Sequence, residues 1–110
     1  DMDAKQVLSQ KAFHEQKMQK VNLFETTRMF CDLYCFEPGQ EQKTHAHAGA
    51  DKIYYVLEGC GTFHIGGESQ ELGEHTIVMA PAGVRRPRQG QELLLPILKL
   101  SLIRARVLKK

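Results

Sequence analysis

Glycine and proline residues divide most of this chain into short segments. From residue 38 onward, turn signals recur along the chain, six to eight residues apart between Gly59 and Pro81. They are Pro38-Gly39, Gly59, Gly66-Gly67, Gly73 and Pro81-Ala82-Gly83. The segments between them contain runs rich in β-branched and aromatic residues. This punctuation predicts an all-β fold, either a sandwich or a barrel.

Individual segments show the alternation of strands. Residues 29–36 are largely apolar on both alternating faces, which predicts a strand covered on both sides by the barrel interior and by another sheet or subunit. Residues 53–57 predict a second strand, and residues 60–65 predict a third that turns back through Gly66-Gly67 in a hairpin.

The rest of the chain continues this pattern. Residues 69–72 are short and polar and predict an edge strand, and residues 76–80 predict another strand. The apolar run 93–107 contains Pro96, which cannot donate to a sheet ladder and therefore marks an edge or a break. Leu98, Leu100 and Leu102 alternate after it, as in a final strand.

The N-terminal residues differ from the rest. Residues 4–20 are polar with irregularly spaced apolar residues, which indicates an arm docked onto the body and a short helix around 4–12. We therefore divide the chain into an arm at 1–20, a barrel at 21–103 and a basic C-terminal tail at 104–110.

Composition bounds the class of protein. At 110 residues, with 42% apolar and 25% charged residues, the chain is expected to form one ordinary globular domain. No apolar run approaches the roughly 20 residues of a membrane span, and the first residues lack the apolar core of a signal peptide. These features predict a cytoplasmic protein with no membrane partner.

Charge is distributed unevenly along the chain. Residues 1–84 hold 7 Lys/Arg and 12 Asp/Glu, whereas residues 85–110 hold 8 Lys/Arg and only Glu92. A basic tail could bind nucleic acid or an acidic partner. The alternative is a solvated last strand with a frayed end. We favour this alternative, and no nucleic-acid partner, because aromatic residues do not interleave with the basic ones.

The three cysteines predict no disulfide framework. An odd number with no tight spacing argues against one, and Cys31 and Cys35 share a strand face too far apart to bridge. We interpret both, together with Cys60, as small apolar residues in or near the core.

Two histidines are the first candidates for a site. His45 and His47 are one residue apart, so in a strand both imidazoles project from one face. Two convergent imidazoles can form half of a metal site. The alternative is a polar rim that binds no ligand.

The stretch containing these histidines resembles the first motif of the cupin superfamily. Gly39 is followed after five residues by His45-Ala46-His47, after four more by Lys52, and after six more by Gly59. The sequence YYVLEG at 54–59 is typical of that motif, and Gly73 through Pro81-Ala82-Gly83 resembles the second motif. The resemblance implies a double-stranded β-helix, or jelly-roll barrel, often a homodimer. It fixes no activity, because cupins include dioxygenases, isomerases, sugar-binding domains and storage proteins.

The resemblance also implies a metal site, which this sequence matches only in part. Metal-bearing cupins use two motif-one histidines, a glutamate and a motif-two histidine. His45 and His47 match, but Lys52 occupies the glutamate position and Arg86 the second-motif histidine position. Protonated lysine and arginine offer no lone pair to a metal and repel a cation. A divalent Fe, Mn, Ni or Zn ion on His45 and His47 would therefore be weakly held, with water completing its shell.

Other residues could supplement that ligand set. Asp51 faces away from Lys52 on a regular strand unless a bulge turns it inward. His64 and His75 are further candidates, in a strand and a turn respectively.

The two substituting cations suggest a different ligand. If Lys52 and Arg86 point into the barrel, the pocket is electropositive and favours a carboxylate or phosphate, with Arg86 as a bidentate partner. The alternative is that Arg86 belongs to a solvated loop, 85–88. Tyr54 shares the face of Lys52 and could line the pocket, as could Phe63 or Phe36, although each is by default a core residue.

Three functional hypotheses follow. The first is a small-molecule site at the barrel mouth with a weakly held metal, in an oxygenase or isomerase. The second is a metal-free module that binds an anion through Lys52 and Arg86. The third is a non-catalytic interaction protein whose basic tail binds a partner. The sequence assigns no reaction, because no nucleophile and base pair stands out.

Overall fold

The computed structural model describes residues 2–45, 50–81, 91–96 and 100–108, and side chains within 2–42 and 51–81. The described residues form one short 3₁₀ helix and nine strands. The helix is Val7–Gln10, and the strands are β1 (Gln19–Glu25), β2 (Met29–Phe36), β3 (Gln42–His45), β4 (Ala50–Glu58), β5 (Gly61–Ile65), β6 (Glu68–Leu72), β7 (Ile77–Ala80), β8 (Gln91–Pro96) and β9 (Leu100–Leu108).

The strands form two antiparallel sheets. The larger sheet has the order β1-β2-β9-β4-β7, and the smaller sheet has the order β3-β8-β5-β6. Successive strands repeatedly change sheet, as in a jelly roll. The predicted all-β barrel is therefore confirmed, and so is the prediction that residues 69–72 form an edge strand, since β6 is the last strand of its sheet.

The barrel interior is filled where the two sheets face each other. Tyr54 and Phe63 come from opposite sheets and meet edge to face, with ring centroids 5.8 Å apart. Seven residues form this core: Tyr34, Phe36, Tyr54, Val56, Phe63, Leu72 and Ala80. Tyr34, Phe36 and Val56 are at most 1% exposed, which fixes the interior face of β2 and β4 by alternation.

The outer face of β2 is covered by the N-terminal arm. Leu33 and Cys35 are fully buried in a second cluster, against which Val7 and Phe13 of the arm pack. Lys11 Nζ donates to Glu58 Oε1 at 2.8 Å and joins the arm to β4. This arm, rather than another sheet, accounts for the apolar alternation on both faces of β2.

The hairpin predicted at Gly66-Gly67 is confirmed. The two glycines connect β5 to β6 directly and have φ values of 61° and 89°. A two-residue loop with both φ values positive matches the right-handed twist of the strands, and glycine adopts it without strain.

The C-terminal run is broken near Pro96, as predicted. Residues 104–108, however, continue β9 and are not a tail. β8 ends at Pro96, and β9 then runs to Leu108 between β2 and β4. The boundary placed at residue 103 thus falls inside the central strand of the larger sheet. Residues 104–108 are held there by pairing with two strands that lie far away in sequence, which local charge does not reveal.

The three cysteines are free thiols. Cys35 is buried, and Cys31 packs beside it in the outer cluster. Burial raises the pKa of the Cys31 thiol, and the neighbouring Asp32 raises it further. These positions agree with the interpretation of both cysteines as small apolar residues.

No helix in the described residues is long and apolar enough to span a membrane.

Candidate functional site

The mouth is the end of the barrel where β3 and β7 end and β4 and β8 begin. The chain crosses there between the two sheets through residues 46–49 and 82–90. His47 and Arg86 belong to these two connections, and both lie outside the described residues. The strand ends around them can be described, and they hold an unusual set of charged residues.

Lys52 lies on the interior face of β4, two residues from the buried Tyr54. It is 2% exposed and is among the largest fully buried side chains. In the sheet it stands opposite Ala80 of β7 and Arg106 of β9. A buried lysine is costly unless polar groups compensate its charge. Lys52 does have an interaction partner in the structure, so its charge is not isolated in the barrel interior.

Asp32 is the second buried charged residue and was not singled out from the sequence. It lies on the interior face of β2 and is 2% exposed. Asn22 Nδ2 donates to Asp32 Oδ1 at 2.8 Å, and the residue opposite Asp32 on β9 is Arg104. The sequence signal was one acidic residue within an otherwise apolar strand, since such a residue is buried only when it is paired.

Tyr54 is on the same face as Lys52, as alternation predicts, but it is a core residue. It is 1% exposed and packs on Phe63. Phe63 and Phe36, the other residues considered as pocket lining, are also buried in the core. Tyr54 therefore lies below the mouth and forms its floor rather than its rim.

His45 is the last residue of β3, opposite Gln91 of β8. In the same sheet, Gln42 stands opposite Leu94, which in turn stands opposite the buried Phe63. Cross-strand partners share a face, and His45 is three residues from Gln42. The backbone register therefore assigns His45 to the outer face of the smaller sheet, not to its interior face.

The other predicted ligands do not converge on the mouth. Asp51 is exposed and alternates with Lys52, and the irregularity in β4 lies at Val56/Glu58 rather than beside it. His64 Nδ1 contacts Ser69 Oγ across the β5–β6 hairpin. His75 has a φ of 65° in the turn before β7, and its Nδ1 pairs with Tyr55 Oη at 2.8 Å.

Comparison with known proteins identifies the family. A family model described as the cupin domain matches residues 32–86, half of the chain. The chain is a cupin.

Solved structures agree with this assignment. The TT1209 protein of Thermus thermophilus is 30% identical, with a TM-score of 0.86, over 99% of this chain and 100% of that one. An RmlC-like cupin from Desulfovibrio desulfuricans is 18% identical, with a TM-score of 0.81, over 97% of each chain. A cupin superfamily protein from Desulfitobacterium hafniense is 16% identical, with a TM-score of 0.79, over 99% of this chain and 97% of that one. The last two show the fold alone. No curated protein matches the chain.

The metal site that the cupin family implies does not fit the residues described here. Where the family places a glutamate ligand, this cupin buries the cation Lys52. The described part of the chain contains no group of three His, Cys, Asp or Glu residues that could hold a metal ion. An ammonium group supplies no lone pair and opposes a divalent cation nearby. The four-ligand arrangement is therefore incomplete in this cupin, whatever His45 and His47 bind.

A second concave surface lies between the edge strands β6 and β7. It has a volume of about 340 Å³, and Phe63, Leu72 and Val78 are among its lining residues. Its one titratable lining residue is Glu68, which repels anions. For an anionic ligand, the buried cation Lys52 makes the mouth a better place than this surface. A larger depression of about 720 Å³ beside the arm is lined by Lys17 and Lys20 but also by the acidic Glu41.

Proposed function

We propose that this cupin binds a small anionic molecule at the barrel mouth, with Lys52 as its principal cation. The observation that supports this function is the burial of Lys52 on the interior face, where the family places a metal-binding carboxylate. Exchanging a negative ligand group for a positive side chain inverts the charge that the site accepts. The same barrel position that serves a cation in metal-bearing cupins thus suits a carboxylate or phosphate here.

Arg86 is the second proposed contact. It follows β7, whose last residue, Ala80, stands beside Lys52, so the connection containing Arg86 starts next to this lysine. A guanidinium group binds a carboxylate or phosphate through two parallel hydrogen bonds, which orient the anion as well as attract it. Lys52 on the barrel wall and Arg86 at the rim would then both contact the same ligand.

A divalent metal on His45 and His47 is the competing hypothesis, and family membership favours it. Elemental analysis of purified, untagged protein tests it beside a His45→Ala/His47→Ala double variant. Near-stoichiometric metal that disappears in the double variant would overturn the metal-free site. Absence of metal from both samples, even after incubation with Fe, Mn, Ni or Zn, would support it.

Calorimetric titration of the full chain with inorganic phosphate and with malonate tests the proposed function. We expect Lys52→Met to weaken the binding of whichever anion the wild type takes by at least about tenfold, because a charge-assisted contact is lost. Lys20→Met is the matched control, since Lys20 is exposed on β1. Failure of the wild type to bind either anion would overturn the proposal, as would equal binding by Lys52→Met.

We also propose that this cupin forms a homodimer through the outer face of β4 and β7. Ile53, Ile77 and Met79 are 38%, 63% and 56% exposed there, and Ile53 stands opposite Met79 in the sheet. In the described strands β7 is the edge of the larger sheet, so a second copy could meet both its apolar side chains and its free backbone groups.

Light scattering after size exclusion tests the homodimer. The wild type should have twice the 12.5 kDa chain mass, and Ile77→Lys/Met79→Lys should be monomeric. Met2→Lys is the control, because Met2 is 91% exposed in the arm and lies outside the proposed surface. A monomeric wild type would contradict the proposal.

A further inference from the structure

The second half of β9, which the sequence assigned to a tail, places two arginines in the larger sheet. On β9, Arg104 stands opposite Asp32 of β2 and Tyr54 of β4. One row nearer the mouth, Arg106 stands opposite Phe30 of β2 and Lys52 of β4. β9 therefore contributes a basic residue to each of two successive interior-face rows, beyond which Leu108 stands opposite Ala50 at the mouth.

Register assigns these positions to the interior face. Residues directly opposite each other in antiparallel strands share a face of the sheet. Asp32, Lys52 and Tyr54 are buried on the interior side, and each is a cross-strand partner of Arg104 or Arg106. The same alternation puts Leu102 opposite the buried Tyr34 and Val56, deeper in the barrel.

The two rows differ in charge. In the inner row, Arg104 stands opposite an acid, Asp32, and cross-strand pairs of opposite charge stabilise a sheet. In the outer row, Arg106 stands opposite a second cation, Lys52. Like charges directly opposite each other are destabilising, and more so away from water. An anion bound between the two cations would convert this repulsion into attraction.

An acidic residue of the smaller, facing sheet only partly offsets the positive charge of the outer row. Glu92 stands opposite Thr44, two residues along β8 from Leu94, and so lies in the interior alternation of the smaller sheet. Facing sheets lie about 10 Å apart, whereas directly opposed residues have Cβ atoms about 5 Å apart. Coulomb energy is inversely proportional to distance, so Glu92 offsets the positive charge of the Lys52–Arg106 row only in part.

We infer that Arg106 is a further binding residue beside Lys52, and that Lys52 and Arg106 together select a ligand carrying two negative charges. Such a ligand has the chemistry of a small dicarboxylate or of a phosphate group. Phe30 and Ala80 flank the two cations in the same row, and the exposed Glu25 of β1 stands beyond Phe30. This inference rests on the proposed anion site and adds to it a residue and a ligand class.

The wild-type protein alone provides the first test. Titrations of the full chain with malonate, inorganic phosphate and acetate, at equal ionic strength and at a pH where malonate is doubly charged, compare two charges with one. We expect malonate or phosphate to bind at least about tenfold more tightly than acetate, because a second charge-assisted contact is made. Preference for malonate or for phosphate identifies the dicarboxylate or the phosphate chemistry. Equal affinity for all three anions would overturn the inference without any variant.

Variants then identify the residue. Arg106→Gln should reduce the affinity for the preferred dianion by about tenfold, to near that for acetate. Arg28→Gln, the same change at an exposed position in the β1–β2 turn, should leave it within about twofold. If Arg106→Gln binds like the wild type while Lys52→Met does not, this inference is wrong and the proposed function stands. If the wild type binds none of the anions, the proposed function itself fails.

Discussion

The two ends of the interior face of the larger sheet differ sharply. At the closed end, Phe36 and Val56 are completely buried in an apolar core. At the mouth, four residues along the same strands, Asp32 and Lys52 are buried to almost the same degree. Apolar burial stabilises the fold, whereas burial of charge costs free energy unless partners compensate it. The difference suggests that the closed end serves stability and the mouth serves binding.

The largest expected effect breaks the closed end. Phe36→Ala should destabilise the protein by about 3–5 kcal/mol, because it removes a fully buried ring and leaves a cavity. Urea unfolding followed by circular dichroism measures the loss. Phe24→Ala, at a half-buried position of β1, is the control and should cost clearly less. Equal losses at the two positions would contradict the division between the ends.

Asp32→Ala tests whether the mouth also contributes to stability. It removes the partner of Asn22 and leaves Arg104 opposite an alanine, so we expect a loss of about 3 kcal/mol. Asp51→Ala, at an exposed position of β4, should change stability by no more than about 0.5 kcal/mol. A loss below about 1 kcal/mol for Asp32→Ala would mean that the carboxylate is not part of a compensated pair.

Lys52→Met tests whether the buried cation at the mouth contributes to the stability of the fold. Lys52→Met removes one partner of an interaction but also the like charge opposite Arg106, so we expect the two effects to offset each other to within about 1 kcal/mol in the anion-free protein. Thermal or urea unfolding at low ionic strength measures it. A large loss of stability would indicate that Lys52 is a structural cation, like Asp32 in the row below it, rather than one kept for a ligand.

The smallest expected effect concerns Cys60, which belongs to neither end of the interior face of the larger sheet. Burial raises the pKa of the Cys60 thiol, and Glu71, which accepts its hydrogen bond at 3.7 Å, raises it further. At neutral pH the thiolate fraction is therefore below that of a free cysteine, and alkylation should be slower, rising as the pH increases. Mass spectrometry of the folded and the urea-unfolded chain measures this. Alkylation at neutral pH as fast as that of free cysteine would contradict it.

Much of the fold could be predicted from local sequence. The turn at Gly66-Gly67, the break near Pro96 and the strand over residues 29–36 depend on residues a few positions apart, and the structure has all three. The position of Lys52 on the face of Tyr54 and Val56 also follows from simple alternation within one strand.

The mouth could be predicted only in part. Asp32, Lys52, Arg104 and Arg106 are brought into two rows by pairing of β9 with β2 and β4, across some 50 to 70 residues of sequence. The charges of Arg104 and Arg106 suggested a solvated last strand with a frayed end, because charged residues rarely occupy central strands. The face of His45 depends on the register of β3 with β8, which the spacing of the two histidines does not encode.

A crystal structure of the full chain grown with malonate or phosphate tests the central claim most directly. Our account predicts an anion at the mouth, with oxygen atoms about 2.7–3.2 Å from Lys52 Nζ and from the Arg106 guanidinium. A metal ion on His45 and His47 with Lys52 turned away from it would contradict the account, and so would a mouth filled by protein side chains alone.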